Sequence, residues 1–251
     1  MKIKKGIILA GGTGSRLGPL TRYINKHCLP CGTAPMIFYP LSQMIYNNIE
    51  EICVVSGLHH LSTIVTLLGS GKRFGCNFTY KVQDEAGGIA EAISLCRNFS
   101  GNDPIVVILG DNIFGEPINF EIFESFDVVL FLKNVPDPHR FGVAEVDHLK
   151  KLIDIEEKPS NPKSNLAITG MYIYSSYVWE IIKKVKRSER GELEISDVNK
   201  LIIKDRQIFT SEIDGWWSDA GTMESFTKVN KEIWENLSTD IATIIEKMIN
   251  S

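Results

Sequence analysis

Lys5-Gly-Ile-Ile-Leu-Ala-Gly-Gly-Thr-Gly-Ser-Arg-Leu17 begins as an apolar run and stops at glycines. An apolar stretch without polar alternation reads as a strand buried on both faces, the pattern of a parallel sheet. Gly11, Gly12 and Gly14 then let a turn approach a polyphosphate, whose oxygens turned backbone N–H groups can cradle. Two other phosphate loops do not match. The dinucleotide fingerprint needs a third glycine where Leu17 stands, and an acidic residue about 20 positions on. No Asp or Glu occurs between Leu17 and Ile49. The Gly-Lys-Ser/Thr ending of a Walker A loop is also missing. Arg16 and Lys26 follow the glycines instead, and Arg16 can grip a phosphate with two N–H groups.

Outward from this stretch, strands and helices alternate. Pro35 opens a helix running to about Asn48, and strands are expected at Ile52–Ser56, Phe78–Val82, Pro104–Leu109 and Phe126–Lys133. His60–Leu68 and Gly88–Cys96 read as helices between them. That alternation predicts right-handed crossovers and an α/β fold with a Rossmann-like, mostly parallel central sheet flanked by helices. The second half differs. Gly142–Val146 and Lys151–Glu156, separated by Asp147–Lys150, look like a β-hairpin in a smaller lobe. Strands at Ala167–Tyr174 and Ile208–Ile213 and helices at Ser175–Val185 and Leu193–Lys204 follow. Thr222 caps one long final helix, Met223 to Met248. The expected organisation is a single domain: a first half to about residue 133, a second half over about 134–222, and a C-terminal helix over about 223–251.

Composition narrows the function. The 251 residues carry a formal net charge of −4, so no global basic surface serves nucleic acid. No apolar run approaches the ~18 residues of a membrane span, and the run within Met1–Leu9 is too short for a signal peptide. A cytoplasmic protein is expected. Five cysteines without secretory context read as free thiols. The isolated pair Cys28 and Cys31 reads as packing residues rather than a redox or zinc motif.

Two aspartates at expected strand ends stand out. Asp111 follows the strand ending at Leu109, and Asp219 precedes the Thr222 cap. Ligands of open α/β sheets bind at the carboxyl edge of the strands. Two carboxylates meeting over a triphosphate would suit Mg²⁺. Each alone reads more readily as a capping or turn aspartate.

With those residues in place, the chain resembles the glucose-1-phosphate thymidylyltransferases of the sugar nucleotidyltransferase superfamily. The resemblance runs from about Gly6 to about Ser225. It is carried in order by Gly6–Leu17, Asn25–Pro30, Pro35–Pro40, Tyr80–Ala90, Leu109–Phe114, Arg140–Val143, Ile155–Pro159, Pro162–Asn165, Thr169–Tyr172, Arg190–Ile195 and Trp217–Thr222. It implies transfer of a deoxythymidylyl group from dTTP to glucose 1-phosphate, with Mg²⁺, in a homo-oligomer, dimer or tetramer, with no nucleic-acid or membrane partner. It also implies roles, with a nucleotide-binding half to about residue 133 and a smaller sugar-binding lobe, the sugar-phosphate half, over about 134–222. Leu9, Ala10, Gly11, Gly12, Thr13 and Gly14 wrap the nucleotide, and Gln83 and Gly88 read its base. Arg16 holds the departing phosphates, Lys26 offsets charge on the transferring group, and Asp111 and Asp219 hold Mg²⁺. Gly142, Glu157, Lys158, Tyr172, Arg190 and Trp217 position the sugar phosphate. Replacing Asp111 by Asn or Lys26 by Ala is expected to abolish turnover and leave the fold intact.

The chain departs from longer members at His27, Ala34, His139 and Phe141. It ends about one helical pair earlier, so their regulatory product site is not expected. UTP as donor, another sugar 1-phosphate as acceptor, and a non-catalytic nucleotide-sugar sensor remain open readings.

Overall fold

The computed structural model describes residues 2–149 and 151–251. The strand β1 (Lys5–Ala10) lies at its centre, and side chains alternating along it feed two separate cores. Ile8 and Ala10 pack on one side of the sheet, Ile7 and Leu9 on the other. This is why the run is apolar throughout: a central strand has no wet face.

The chain continues through a 3-10 turn (Ser15–Thr21), a small pair β2 (Pro30–Cys31) and β3 (Ala34–Pro35), helix α1 (Phe38–Tyr46), β4 (Glu51–Gly57) and α2 (Leu61–Leu68). Then come β5 (Asn77–Gln83), α3 (Ile89–Ser94), α4 (Arg97–Ser100), β6 (Ile105–Leu109), β7 (Asn112–Phe114) and β8 (Val128–Asn134). The hairpin β9 (Gly142–Val146) and β10 (Leu152–Glu157) leads to β11 (Leu166–Tyr174), α5 (Val178–Ile182), α6 (Ile195–Asp205), β12 (Phe209–Glu212) and β13 (Trp217–Asp219). Helices α7 (Met223–Asn236) and α8 (Thr239–Asn250) finish the chain.

Nine of these strands form one sheet in the order β10-β9-β11-β6-β1-β4-β5, with β8 also beside β11 and β12 beside β8. From β6 through β1 and β4 to β5 every pairing is parallel, as expected. Strand β11 runs antiparallel and serves two neighbours on one edge. Its end pairs Tyr172 with Val107 of β6, while nearer its start Ala167 pairs with Val143 of β9. A register shift between Ile168 and Tyr172, where β11 also pairs with β8, marks the changeover. Helices α1, α2, α7 and α8 cover one face and α3, α5 and α6 the other.

Three expectations are corrected. Pro35 lies in β3, because Met36 and Ile37 donate backbone hydrogen bonds to Leu29 and His27 and hold the segment extended. Helix α1 begins at Phe38, and Pro40 in its first turn is the proline that suits a helix start. The helix expected over Ser175–Val185 is confined to Val178–Ile182. The single C-terminal helix over 223–251 is two helices. Leu237 and Ser238 are extended, the Ser238 side chain accepts from Ile241 N–H, and α8 folds back onto α1. The Thr222 cap is present. The hairpin is antiparallel as expected; of its turn, Lys150 lies outside the described residues, as does Met1 of the N-terminal run.

Candidate active site

The glycine loop, Gln83 and Asp111 all lie where β1, β5 and β6 end, and two cavities open there. One, about 880 Å³, is lined by Leu9, Gly11, Gly12, Lys26, Gln83 and Gly88. The other, about 860 Å³, is lined by Gly142, Glu157, Lys158, Tyr172, Trp217 and Asp219. Arg16 and Asp111 line both. The residues expected to bind nucleotide and sugar phosphate thus fall into two adjoining compartments. Ala10 is buried in the core, Thr13 is exposed, and Gly14 packs on Thr21 and Lys26, so these three shape the loop from outside the cavity. Arg190 stands beside the second cavity, bonded to Glu194 at 2.7 Å and 3.9 Å from Glu157.

Lys26 and Asp111 form a buried ion pair that is also a hydrogen bond. Burial alone would raise the Asp111 carboxyl. Lys26 and hydrogen bonds from Lys26 and Asn112 outweigh it and hold the group far below the usual carboxylate range. His27 beside them is pushed down to about 3 by burial and then by Lys26, so its imidazole is neutral. Asn25 Oδ1 accepts from the His27 backbone N–H at 2.8 Å and lies 2.7 Å from Nδ1, which places the ring proton on Nδ1.

Asp219 answers from the other side. Arg140 donates to it at 2.9 Å and is itself held by Asp137 at 2.8 Å. Burial and the neighbouring Asp111 raise the Asp219 carboxyl, against Arg140, Arg16 and Lys26. The two aspartates converge on Gly221. A Cβ there would lie 2.9 Å from Asp219 Oδ2, 3.3 Å from Arg16 Nη2 and 3.6 Å from Asp111 Oδ2. Two hard carboxylate oxygens around an open corner suit a Mg²⁺ ion that keeps waters and phosphate oxygens as its other ligands. Among the described residues no three His, Cys, Asp or Glu side chains cluster as a self-sufficient metal site.

Asn112 ties the compartments together. Its Oδ1 accepts from Trp217 Nε1 at 2.8 Å and from Gly170 N–H at 2.9 Å, and its Nδ2 donates to Asp111 Oδ1 at 3.0 Å. A side chain at Gly170 would strike this amide at 2.6 Å. The antiparallel pair β7 and β13 holds Asn112 opposite Asp219. Further along, Glu157 Oε1 lies 3.3 Å from Lys158 Nζ. Lys158 has a φ of 44°, strained for a non-glycine residue and stored here directly before Pro159. Tyr172 is buried against Tyr174 with parallel rings 5.8 Å apart. Ser196 Oγ and Asn199 Nδ2, on residues lining the same cavity, are buried without hydrogen-bond partners among the described residues.

Sequence reasoning had not singled out Asn112, Arg140, Ser196 or Asn199 as site residues. Asn112 and Arg140 stood inside the family-like blocks, beside Asp111 and Gly142, which was the available signal. Nothing in the sequence pointed to Ser196 and Asn199 beyond two polar residues on the buried side of α6.

Residues 5–236 match the model of the nucleotidyl transferase family. A glucose-1-phosphate thymidylyltransferase of Neisseria meningitidis is 40% identical over 228 residues, covering 88% of this chain and 79% of the relative. One from Xanthomonas campestris is 39% identical over 232 residues, covering 90% and 79%. A Bacillus anthracis crystal structure, provisionally assigned as a glucose-1-phosphate thymidylyltransferase and complexed with a sucrose, superposes with a TM-score of 0.88 at 47% identity. That match covers 95% of this chain and 98% of that one. The chain belongs to the nucleotidyl transferase family.

Proposed function

We propose that this chain joins dTTP to glucose 1-phosphate, giving dTDP-glucose and pyrophosphate. The observation that carries the reading is the pair of cavities meeting at Arg16 and Asp111, one walled by the glycine loop and Gln83, the other by Glu157 and Lys158. The names borne by relatives at about 40% identity support the choice of nucleotide and sugar.

In this reading a phosphate oxygen of glucose 1-phosphate attacks the α-phosphorus of dTTP, and pyrophosphate leaves in line. The attacking oxygen is already anionic, so no general base is needed, in keeping with a buried, neutral His27. The protein supplies position and charge. Arg16 has no ion-pair partner among the described residues and takes the leaving phosphates. Lys26 offsets charge on the transferring group, while Lys158 and Arg190 hold the second anion near the first. Glu157 accepts from sugar hydroxyls beside Gly142, where an added Cβ would lie 3.4 Å from its carboxylate. Asp111 and Asp219 would hold Mg²⁺, which supplies neutralisation of the polyphosphate. Arg140 holds Asp219 through Oδ1, which leaves Oδ2 facing the Gly221 corner.

Thymine and uracil share the edge that Gln83 meets, so UTP is the expected side substrate. Pyrophosphate release measured across four nucleotides and several sugar 1-phosphates tests the proposal. Turnover should require both dTTP and glucose 1-phosphate. Equal release without any sugar phosphate, or preference for a different sugar, overturns it.

A further inference from the structure

Gln83 ends β5 with its amide between two acceptors. Nε2 lies 2.9 Å from Glu91 Oε2 and 3.3 Å from the Gly88 carbonyl oxygen. An ionised carboxylate and a backbone carbonyl only accept, so the NH₂ group must face them. Turning the amide over would set its carbonyl oxygen against two other oxygens. The amide is therefore oriented by chemistry, and both N–H bonds are spent. Its Oε1 carries no hydrogen bond from any described residue and faces the glycine loop, 2.9 Å from where a Gly11 Cβ would sit.

Glu91 is itself fixed. Its Oε1 pairs with Arg187 Nη2 at 2.6 Å, and Arg187 Nη1 donates to the Gly191 carbonyl at 2.6 Å. Glu91 also lies so close over Gly87 that a Cβ there would fall 1.9 Å from its carboxylate. The hydrogen bond from Gln83 and, against some desolvation, those from Arg187 keep this carboxyl below its ordinary range, and so charged at neutral pH.

We infer that Glu91, tied by Arg187, is a positioning residue that locks the Gln83 amide with its carbonyl oxygen toward the base, so that the cavity selects a pyrimidine whose N3 carries hydrogen. Thymine and uracil present that N–H. Cytosine presents a bare lone pair at N3, which the fixed oxygen repels. The inference rests on Gln83 meeting the base edge. It adds two residues, 96 positions apart in sequence, that set which edge is accepted.

The test compares kcat/KM for dTTP, UTP and dCTP, and the Kd of dTTP and dCTP by calorimetry, in the intact protein and in the variants E91A, E91Q, R187A and Q83A. In E91A the amide loses the nearer of its two acceptors and keeps only the Gly88 carbonyl at 3.3 Å, and the preference for dTTP over dCTP should fall about tenfold, the worth of one oriented hydrogen bond. The KM for glucose 1-phosphate should not move. E91Q offers one acceptor oxygen where Arg187 and Gln83 each need one, so an NH₂ group is left facing Gln83 and most of the preference should be lost, while R187A should lose part of it. An unchanged preference in folded E91A, or an equal loss of affinity for both nucleotides, overturns the inference. If E91A does not fold, R187A with an undiminished preference does the same. Q83A separates the layers: if it leaves the preference intact, the underlying role of Gln83 fails as well.

Discussion

Removing Lys26 should do more than stop the reaction. Lys26 and Asp111 are 8% and 9% exposed, so neither charge has bulk water to fall back on. In Lys26→Ala the carboxylate stays buried without its main counter-charge. Breaking a buried pair in this way costs about 3–5 kcal/mol. For a chain of this size that is roughly 6–20 °C of melting temperature. Lys26→Ala should still reach the same fold, at this reduced stability. The double variant Lys26→Ala/Asp111→Asn removes the stranded charge, keeps the shape, and should recover most of the lost stability with no turnover.

The pH dependence has a definite sign. In the intact protein the folded Asp111 carboxyl lies below its unfolded value, so its contribution is present above about pH 4 and fades only as pH falls further, through the depressed folded value. Without Lys26, burial pushes the carboxyl upward, and the penalty grows as pH rises from about 4 through the new folded value. The stability gap between Lys26→Ala and the intact protein should therefore narrow from pH 7 to pH 5. Thermal unfolding followed by circular dichroism measures both effects. A gap that is equal at the two pH values, or a double variant no more stable than the single, refutes the reasoning.

Gly221→Ala should fold normally, because its backbone is outside the left-handed region and the atoms it meets are side-chain ends. The new methyl fills the corner between Asp111, Asp219 and Arg16, so pyrophosphate release should drop by roughly 100-fold or more, with a change in melting temperature of only a few degrees. Cys28 and Cys31 have thiols that burial pushes up to about 11 and 12. Native protein treated with a maleimide at pH 7 should show little modification at either residue by mass spectrometry and keep its activity.

Much of the sheet could be read directly from the chain. A strand such as Lys5–Ala10 carries its whole signal locally, as an apolar run between polar and glycine boundaries. The glycine loop was likewise local, and Asp111 and Asp219 were placed by the strand ends beside them. What escaped depends on residues distant in sequence. The break at Leu237 and Ser238 has no glycine or proline to announce it; a serine cap and the backbone bond from Ser238 to Gly115 3.0 Å away decide it. Arg140 gains meaning only when Asp219, 79 positions later, comes within 2.9 Å. Asn112 looked like a neighbour of Asp111 until β7 met β13 and Gly170 met its amide. Pro35 misled because the helix signal belonged to Pro40, five residues on.

Strand β11 works as a ruler. It borders β6, whose end leads to Asp111, and β9, whose hairpin partner ends at Glu157. The separation of the two compartments is therefore counted in residues along one strand, at ~3.3 Å each. Such a ruler changes only in steps. A slip of one residue would turn Tyr172 and Tyr174 to the opposite face of the sheet. A fractional adjustment has to come from the irregular stretch between Ile168 and Tyr172, which Asn112 clamps through Gly170. A different spacing between the compartments would therefore call for changes at that clamp, with Glu157 and Lys158 left as they are.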